Sequence, residues 1–204
     1  MQQLIYEFLL ESIMPGFREK VRKHDTEEIL KLVIGRAHKD VMIGARYKTS
    51  KSSENYCEHN EDYQKLVVDL IMADHSQVSG RRIIESIYAQ VKNINIGLIQ
   101  KLVNMSIKYL CVIRQCEIDI GTELQIVESD CDCPLDSRIL ERLVSDTGKK
   151  KYTAWTKLDN WDEYKDIQKD IQDVIESDIT KYIGKSRLEY DFVNWGLPIG
   201  KDSF

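Results

Sequence analysis

The sequence NIGLIQKLVNMSIKYLCVIRQ, residues 95–115, is the most apolar long run of the chain and decides its fold. Drawn as a helix, it is apolar over most of its circumference, which predicts a central helix in an all-α protein. Its polar residues fall in one sector about 100° wide. They are Gly97, Gln100, Lys101, Asn104, Lys108, Cys111 and Gln115. Such a stripe is typical of a solvent-facing edge or of a polar pocket wall that holds an amine.

The composition suits one globular domain. The chain has 204 residues, of which 42% are hydrophobic and 31% charged, so we expect a single helical domain over residues 1–204, with an N-terminal part (1–92) and a C-terminal part (93–204). No signal peptide or membrane span is expected. The five cysteines favour a reduced, cytoplasmic setting. A net charge of −5 argues against coating nucleic acid through bulk charge but permits a local basic groove.

Hydrophobic periodicity predicts eight to nine helices and at most one small β-hairpin. We expect helices over residues 2–14, from the capping box at 25–28 to about 44–47, from residue 60, and over 81–92, 95–115, 133–144, 161–175 and 186–195. The polar, Ser-rich residues 48–60 are interpreted as an exposed, mobile loop. Residues 116–128 alternate about Gly121, which is typical of a hairpin or an extended connection.

Lys101 and Asp136 form the candidate catalytic pair. A lysine amine is a nucleophile only when unprotonated, and an apolar wall favours the unprotonated form. Pro134 is favoured at the first position of a helix, which would place Asp136 in the first turn near the positive end of the helix dipole. A carboxylate there can accept the amine proton or stabilise positive charge on a sugar. The ordinary alternatives are a solvated lysine and a capping carboxylate.

The segments QKLVNMSIKYL (100–110) and CPLDSRILERL (133–143) together resemble a known enzyme family. They are similar to the catalytic stretch of the archaeal 8-oxoguanine DNA glycosylases, a divergent branch of the helix-hairpin-helix DNA glycosylase superfamily. The counterparts of the family motif are Lys101, Lys108, Pro134, Asp136, Arg138 and Ile139. The chain also resembles an uncharacterised bacterial and phage helical family through residues 104–110 and 155–159. Gly121 is the one glycine between residues 111 and 130, so the superfamily's glycine-rich, phosphate-gripping hairpin is not evident.

The glycosylase resemblance implies a reaction on an extruded base in double-stranded DNA. Lys101 would attack the sugar C1′, Asp136 would assist, and the Schiff base could lead to strand cleavage. From helix position and composition we expect further contacts, because aromatic walls can offset lost stacking. The expected substrate contacts are Tyr152, Trp155 and Trp195 as walls and Gln100 and Asn104 as polar readers, together with Lys108. Backbone contacts are expected from Lys149, Lys150, Lys151 and Arg138. No cofactor is expected.

Two other functions fit the sequence. The first is a non-catalytic helical binding or regulatory protein of a phage or host-defence type. The second is a helical RNase that uses Arg18 and His24, which stand six residues apart. Zinc is not expected. Cys131 and Cys133 stand closer together than the usual zinc-binding pair, and they lie on a different loop from Cys57 and His59, which would complete the ligand set.

Overall fold

Ten α-helices and three short 3₁₀ turns form in the described part of the chain. The computed structural model describes residues 2–45, 51–120, 124–149, 151–178, 180–182 and 186–194. The helices are α1 (Gln2–Ile13), α2 (Phe17–Val21), α3 (Thr26–Ala45), α4 (Lys51–Glu58), α5 (Asn60–Ala73), α6 (Gly80–Gln90), α7 (Ile96–Gln115), α8 (Ser137–Thr147), α9 (Trp161–Ser177) and α10 (Arg187–Asn194). Within these ranges no strand forms, and one isolated bridge joins Val78 to Ile126. The predicted all-α class is confirmed.

Helix α7 occupies the centre of the fold, as its composition predicts. Every residue from Ile96 to Leu110 is buried. Helix α3 packs along α7 more extensively than any other element, and α6 and α1 cover further faces. Among the described helices α7 is the one long and apolar enough to cross a membrane, but 94% of its apolar window is buried by the rest of the chain. Its apolar surface is therefore used for packing inside the protein.

The polar stripe of α7 faces protein. The interpretation of this stripe as a solvent-facing edge is wrong from Gly97 to Lys108, which are all buried. Only its last two members differ, because Cys111 is half-buried and Gln115 is exposed. A buried stripe of amides and amines requires partners for each polar group, since an unpaired buried donor or acceptor costs about 1–3 kcal/mol.

The segment expected to be a mobile loop, residues 48–60, contains helix α4. Residues 48–50 lie outside the described part of the chain, but Lys51–Glu58 is helical. Two buried side chains, Ser53 and Tyr56, anchor this otherwise polar helix. The Tyr56 ring stacks on Tyr63 at a centroid distance of 5.5 Å, and its hydroxyl lies 3.0 Å from Nδ1 of His38. Tertiary packing of one aromatic ring thus outweighs a weak apolar pattern.

The start of α8 differs from its prediction. The helix begins at Ser137, so Asp136 is the N-cap residue and not a member of the first turn. Pro134 and Leu135 lie buried in the segment before the helix. An aspartate at the N-cap accepts a hydrogen bond from the third residue of the helix, and here Ile139 N donates to Asp136 Oδ1 at 2.9 Å. Asp25, the first residue of the predicted capping box, caps α3 in the same way, and Asn160 caps α9.

Two glycines allow Trp155 to approach the core closely. A Cβ atom added to Gly97 on α7 would stand 1.6 Å from the Trp155 carbonyl oxygen, and one added to Gly44 on α3 would stand 2.2 Å from the Trp155 ring. Trp155 is 5% exposed. The Leu158 carbonyl also accepts the Gly97 N–H at 2.9 Å, which satisfies one of the free donors at the start of α7.

We expect Gly97→Ala to destabilise the protein by about 3 kcal/mol or more, because the new methyl group must displace backbone and not a flexible side chain. Gly35→Ala on α3 is the matched control. Its Cβ would meet only the Gln64 side chain, at 3.6 Å, so the better helix propensity of alanine should stabilise by up to about 1 kcal/mol. Urea unfolding of both variants checks the opposite signs, and equal effects would contradict this account of Gly97.

Candidate functional site

The segment 131–136, CDCPLD, crosses the polar stripe of α7 just before α8 begins. It lies among buried residues and has no regular secondary structure, so its backbone groups need partners from elsewhere. Gln100 of α7 donates to the Leu135 carbonyl and accepts from the Leu135 N–H, both at 3.0 Å. Gln168 of α9 likewise donates to the Cys133 carbonyl at 2.8 Å and accepts from the Cys133 N–H at 2.9 Å. Each glutamine amide therefore pairs with one residue as a neighbouring β-strand would.

Asn104 extends this network toward α9. Its amide nitrogen donates to Gln100 Oε1 and to the Tyr164 hydroxyl, both at 3.2 Å. The Tyr164 hydroxyl in turn donates to Asp132 Oδ2 at 2.8 Å. Burial, with the Asp132 charge as the next cause, raises the pKa of Tyr164 well above its ordinary value, so the phenol remains a donor. The network fixes the first half of the segment between two helices.

Asp132 is a fully buried carboxylate that two arginines neutralise. Arg81 Nη2 of α6 lies 2.7 Å from Asp132 Oδ1, and Arg187 Nε of α10 lies 2.8 Å from the same oxygen. Arg187 also donates to the Ser129 carbonyl at 2.7 Å. A buried carboxylate requires such charged partners, because its desolvation would otherwise cost several kcal/mol. Helices α6, α9 and α10 are thereby all bonded to one end of the segment.

At the other end of the segment, the predicted catalytic residues meet. Lys101 Nζ lies 2.9 Å from Asp136 Oδ2. The Lys101 side chain is 5% exposed and that of Asp136 is 20% exposed, so the amine is buried while its partner reaches solvent. Burial raises the pKa of Asp136, but the Lys101 charge and the Ile139 and Arg138 backbone N–H groups together outweigh it, and the pKa falls below its ordinary value. The carboxylate is ionised at neutral pH.

Two turns further along α7, Lys108 forms a second buried ion pair. Its ammonium bonds to Asp191 of α10 and lies 4.8 Å from the centroid of the Phe192 ring. Asp191 is fully buried, and its Oδ1 atom has no hydrogen-bond partner among the described residues. Cys133 lies near the charges of both ion pairs, and burial raises the pKa of its thiol well above the ordinary value. This thiol is therefore a packing group and not a thiolate.

The other described residues expected to contact a substrate or the DNA backbone pack on or bond to protein groups, or are exposed. Tyr152 is half-buried and donates to Asp170 of α9 at 2.9 Å, and Trp155 is packed against Gly44 and Gly97. Lys149 pairs with Asp170, whereas Lys151 and Arg138 are exposed. Trp195 and Lys150 lie outside the described residues. Gln100 and Asn104 were expected to contact a substrate, but their side-chain amides bond to Leu135 and Tyr164.

Sequence reasoning missed five residues that build the site. They are Asp132, Gln168, Asp191, Arg81 and Arg187. One of them carried a signal in the sequence. Gln168 stands beside Ile167, four residues after Tyr164 and three before Ile171, so it lies on the apolar face of α9, where a polar residue implies a buried partner. The others carried no local signal, because their partners are distant in sequence.

The structure also describes the residues considered for an RNase site and for a zinc site. Arg18 bonds to Glu7 and to the Cys116 carbonyl, and His24 is exposed in the turn after α2. Cys131 donates to the Val127 carbonyl at 3.4 Å. Across the described ranges, no three His, Cys, Asp or Glu side chains gather in a way that would hold a metal ion.

Compared with family models, with curated proteins and with solved structures, the chain matches none. The relation to the DNA glycosylases therefore rests on the residues quoted above and remains a prediction.

The lowered pKa of Asp136 makes stability depend on pH in the acid range. A carboxyl group whose pKa is lower in the folded state adds stability above its unfolded pKa of about 3.9 and loses it as pH falls through the folded pKa. We expect Asp136→Asn, which keeps an N-cap side chain, to cost about 2 kcal/mol at neutral pH. The difference from wild type should shrink below about pH 4. Urea unfolding as a function of pH measures this. A constant difference across the range would show that Asp136 is not stabilised as an anion.

Proposed function

We propose that this chain is a DNA base-excision enzyme, a lysine-dependent N-glycosylase that acts on an extruded, modified base. One observation carries the proposal: the amine of Lys101 is almost fully buried and lies 2.9 Å from a carboxylate that is partly open to solvent. Burial favours the neutral, nucleophilic form of an amine, and a carboxylate in hydrogen-bond contact can accept the proton that the ammonium must lose. The resemblance of residues 100–110 and 133–143 to the glycosylase motif supports the same two residues.

The proposed reaction begins with transfer of a proton from the Lys101 ammonium to Asp136. The amine nitrogen then forms a bond to C1′ of the extruded nucleotide, and the C1′–N glycosidic bond breaks. Its electron pair leaves with the base, which takes up a proton. Opening of the sugar ring gives an iminium between Lys101 and C1′. Loss of a C2′ proton from this intermediate expels the 3′ phosphate, which cuts the strand, whereas hydrolysis of the iminium releases an abasic sugar.

Asp136 is suited to a second role, the stabilisation of positive charge on the sugar. Its Oδ1 atom is fixed by the Ile139 N–H and its Oδ2 atom by Lys101, so the carboxylate needs little reorganisation as charge develops. Because its pKa is lowered, it is an anion at neutral pH. When Lys101 moves toward C1′, Oδ2 becomes available for the sugar or the transferred proton.

In this proposal Gln100 and Asn104 act as positioning residues and not as readers of the base. Gln100 holds Leu135, the residue before Asp136, by two hydrogen bonds. Asn104 bonds to Gln100 and to Tyr164. Their contribution is to keep the N-cap of α8 opposite Lys101, since catalytic geometry is sensitive to displacements of about 1 Å.

Borohydride trapping on a duplex with an abasic site tests the proposal. We expect wild-type protein to give a covalent adduct, because borohydride reduces the iminium to a stable amine. Lys101→Arg should give none, since a guanidinium keeps the charge beside Asp136 but does not form the iminium. Lys39→Arg, an exposed lysine on α3, is the matched control and should trap as wild type does.

An adduct that survives Lys101→Arg would assign the chemistry to another amine. Peptide mapping of the wild-type adduct identifies that amine directly. Absence of an adduct with duplexes containing abasic sites, 8-oxoguanine or uracil would overturn the glycosylase proposal.

A non-catalytic binding protein is the second candidate, and one observation favours it. Gln100, Asn104 and Lys108 all bond to the protein's own groups. By the same logic, Lys101–Asp136 is a structural ion pair that holds the segment 131–136 on α7. Replacing a buried ion pair by neutral groups is often neutral or stabilising, whereas removing one partner is costly. If the pair is only structural, Lys101→Met with Asp136→Asn should recover much of the stability lost in Lys101→Met, and no substrate should trap.

A further inference from the structure

A surface groove lined by two arginines lies beside the segment 131–136. Its volume is about 530 Å³. Side chains of α9 line it together with Arg81 of α6 and Arg187 of α10. The charged side chains that line it are Arg81, Arg187, Lys165, Lys169, Asp162 and Asp166. Neither Lys101 nor Asp136 belongs to this lining, so the groove is distinct from the proposed catalytic pair.

Both arginines are fixed before any ligand arrives. Arg81 donates through Nη2 and Nε to Asp132, at 2.7 and 3.4 Å. Arg187 donates through Nε to Asp132 and through Nη2 to the Ser129 carbonyl. The Nη1 atom of each guanidinium donates to no residue of the described chain. Two pre-oriented guanidinium groups with spare N–H donors in one groove suit a phosphate, whose oxygens match the arginine fork.

The groove is locally basic in an acidic protein. Its lining carries four basic side chains and two carboxylates, Asp162 and Asp166, while Asp132 and Asp130 act on Arg81 from outside the lining. Lys165 is paired with Asp162 at 2.7 Å, whereas Lys169 pairs with no described carboxylate. A local excess of positive charge in a cleft concentrates anions there even when the net charge is −5.

The groove and the catalytic pair are joined by a short piece of chain. Asp132, which holds the arginines, is four residues before Asp136. Four residues span at most about 14 Å when fully extended, so the carboxylate that fixes the arginines and the carboxylate of the catalytic pair are close along the chain. Orientation of the two sites is fixed through the same hydrogen-bonded segment.

We infer that the groove between Arg81, Arg187 and the Lys165–Lys169 side of α9 binds a backbone phosphate of the DNA strand that carries the extruded base. This inference rests on the proposed function and adds the phosphate grip for which the sequence shows no glycine-rich hairpin. Contacts to phosphates position a nucleic acid without reading its sequence, which is the task that an enzyme of base excision requires next to its nucleophile.

Salt-dependent binding to a duplex with a stable tetrahydrofuran abasic analogue tests the groove separately from the chemistry, because this analogue cannot form an iminium. Lys169→Gln should reduce the slope of log K against log salt by about 0.9, the value for one lost phosphate contact. Lys65→Gln makes the same charge change at an exposed position of α5 and should leave the slope unchanged.

Arginine-to-lysine variants test the fork itself. Arg81→Lys and Arg187→Lys keep a cation beside Asp132 but remove the spare guanidinium donors, so each should weaken binding about tenfold, as expected for loss of a charge-assisted hydrogen bond. Thermal unfolding checks that each variant is folded. If one is not, Lys169→Gln against Lys65→Gln decides the question.

The outcomes separate this inference from the proposed function. Equal slopes for Lys169→Gln and wild type, or no binding of the analogue by wild type, would overturn the phosphate site whatever trapping shows. A groove-dependent slope without a borohydride adduct on abasic DNA would retain the phosphate site and remove the glycosylase. Equal competition by inorganic phosphate at the concentration of DNA phosphate would mean a free-anion site and would also overturn the inference.

Discussion

The constraint on which the structure depends is the burial of a polar stripe in the most apolar helix. Once α7 is placed at the centre, its polar side chains Gln100, Lys101, Asn104 and Lys108 are almost entirely shielded from bulk water, so each needs a partner within the protein. The partners come from the segment 131–136 and from α9 and α10. The stripe therefore determines how the C-terminal half of the chain packs on its core.

Local patterns predicted most of the fold because most helices are amphipathic and capped. The α7 run, the aspartate cap of α3 and the asparagine cap of α9 are all within a few residues of the elements that they specify. Helix α4 was not predictable in this way, since only Ser53 and Tyr56 are buried in a polar stretch. The energy that holds it comes from rings on α3 and α5, and no short window of sequence contains that information.

The candidate site was predictable only where a local motif identified its residues. Lys101 and Asp136 were paired through a family motif, and the structure brings them within 2.9 Å. Gln100 and Asn104 were correctly placed on the same face but their partners were not foreseen, because a polar residue in sequence gives no indication of what it will contact. Asp132 shows the limit most clearly: its three partners lie 51, 32 and 55 residues away along the chain.

The strand-like pairing of two glutamines with an irregular segment has a consequence for its dynamics. The amide protons of Cys133 and Leu135 are bonded to side chains of α9 and α7, and both residues are buried. Solvent exchange at these amides then requires two core helices to separate. The amide protons of this irregular segment should therefore exchange as slowly as those of the surrounding helices, through large cooperative openings. The Asp136 carboxylate at the end of the segment is held in place by the same contacts.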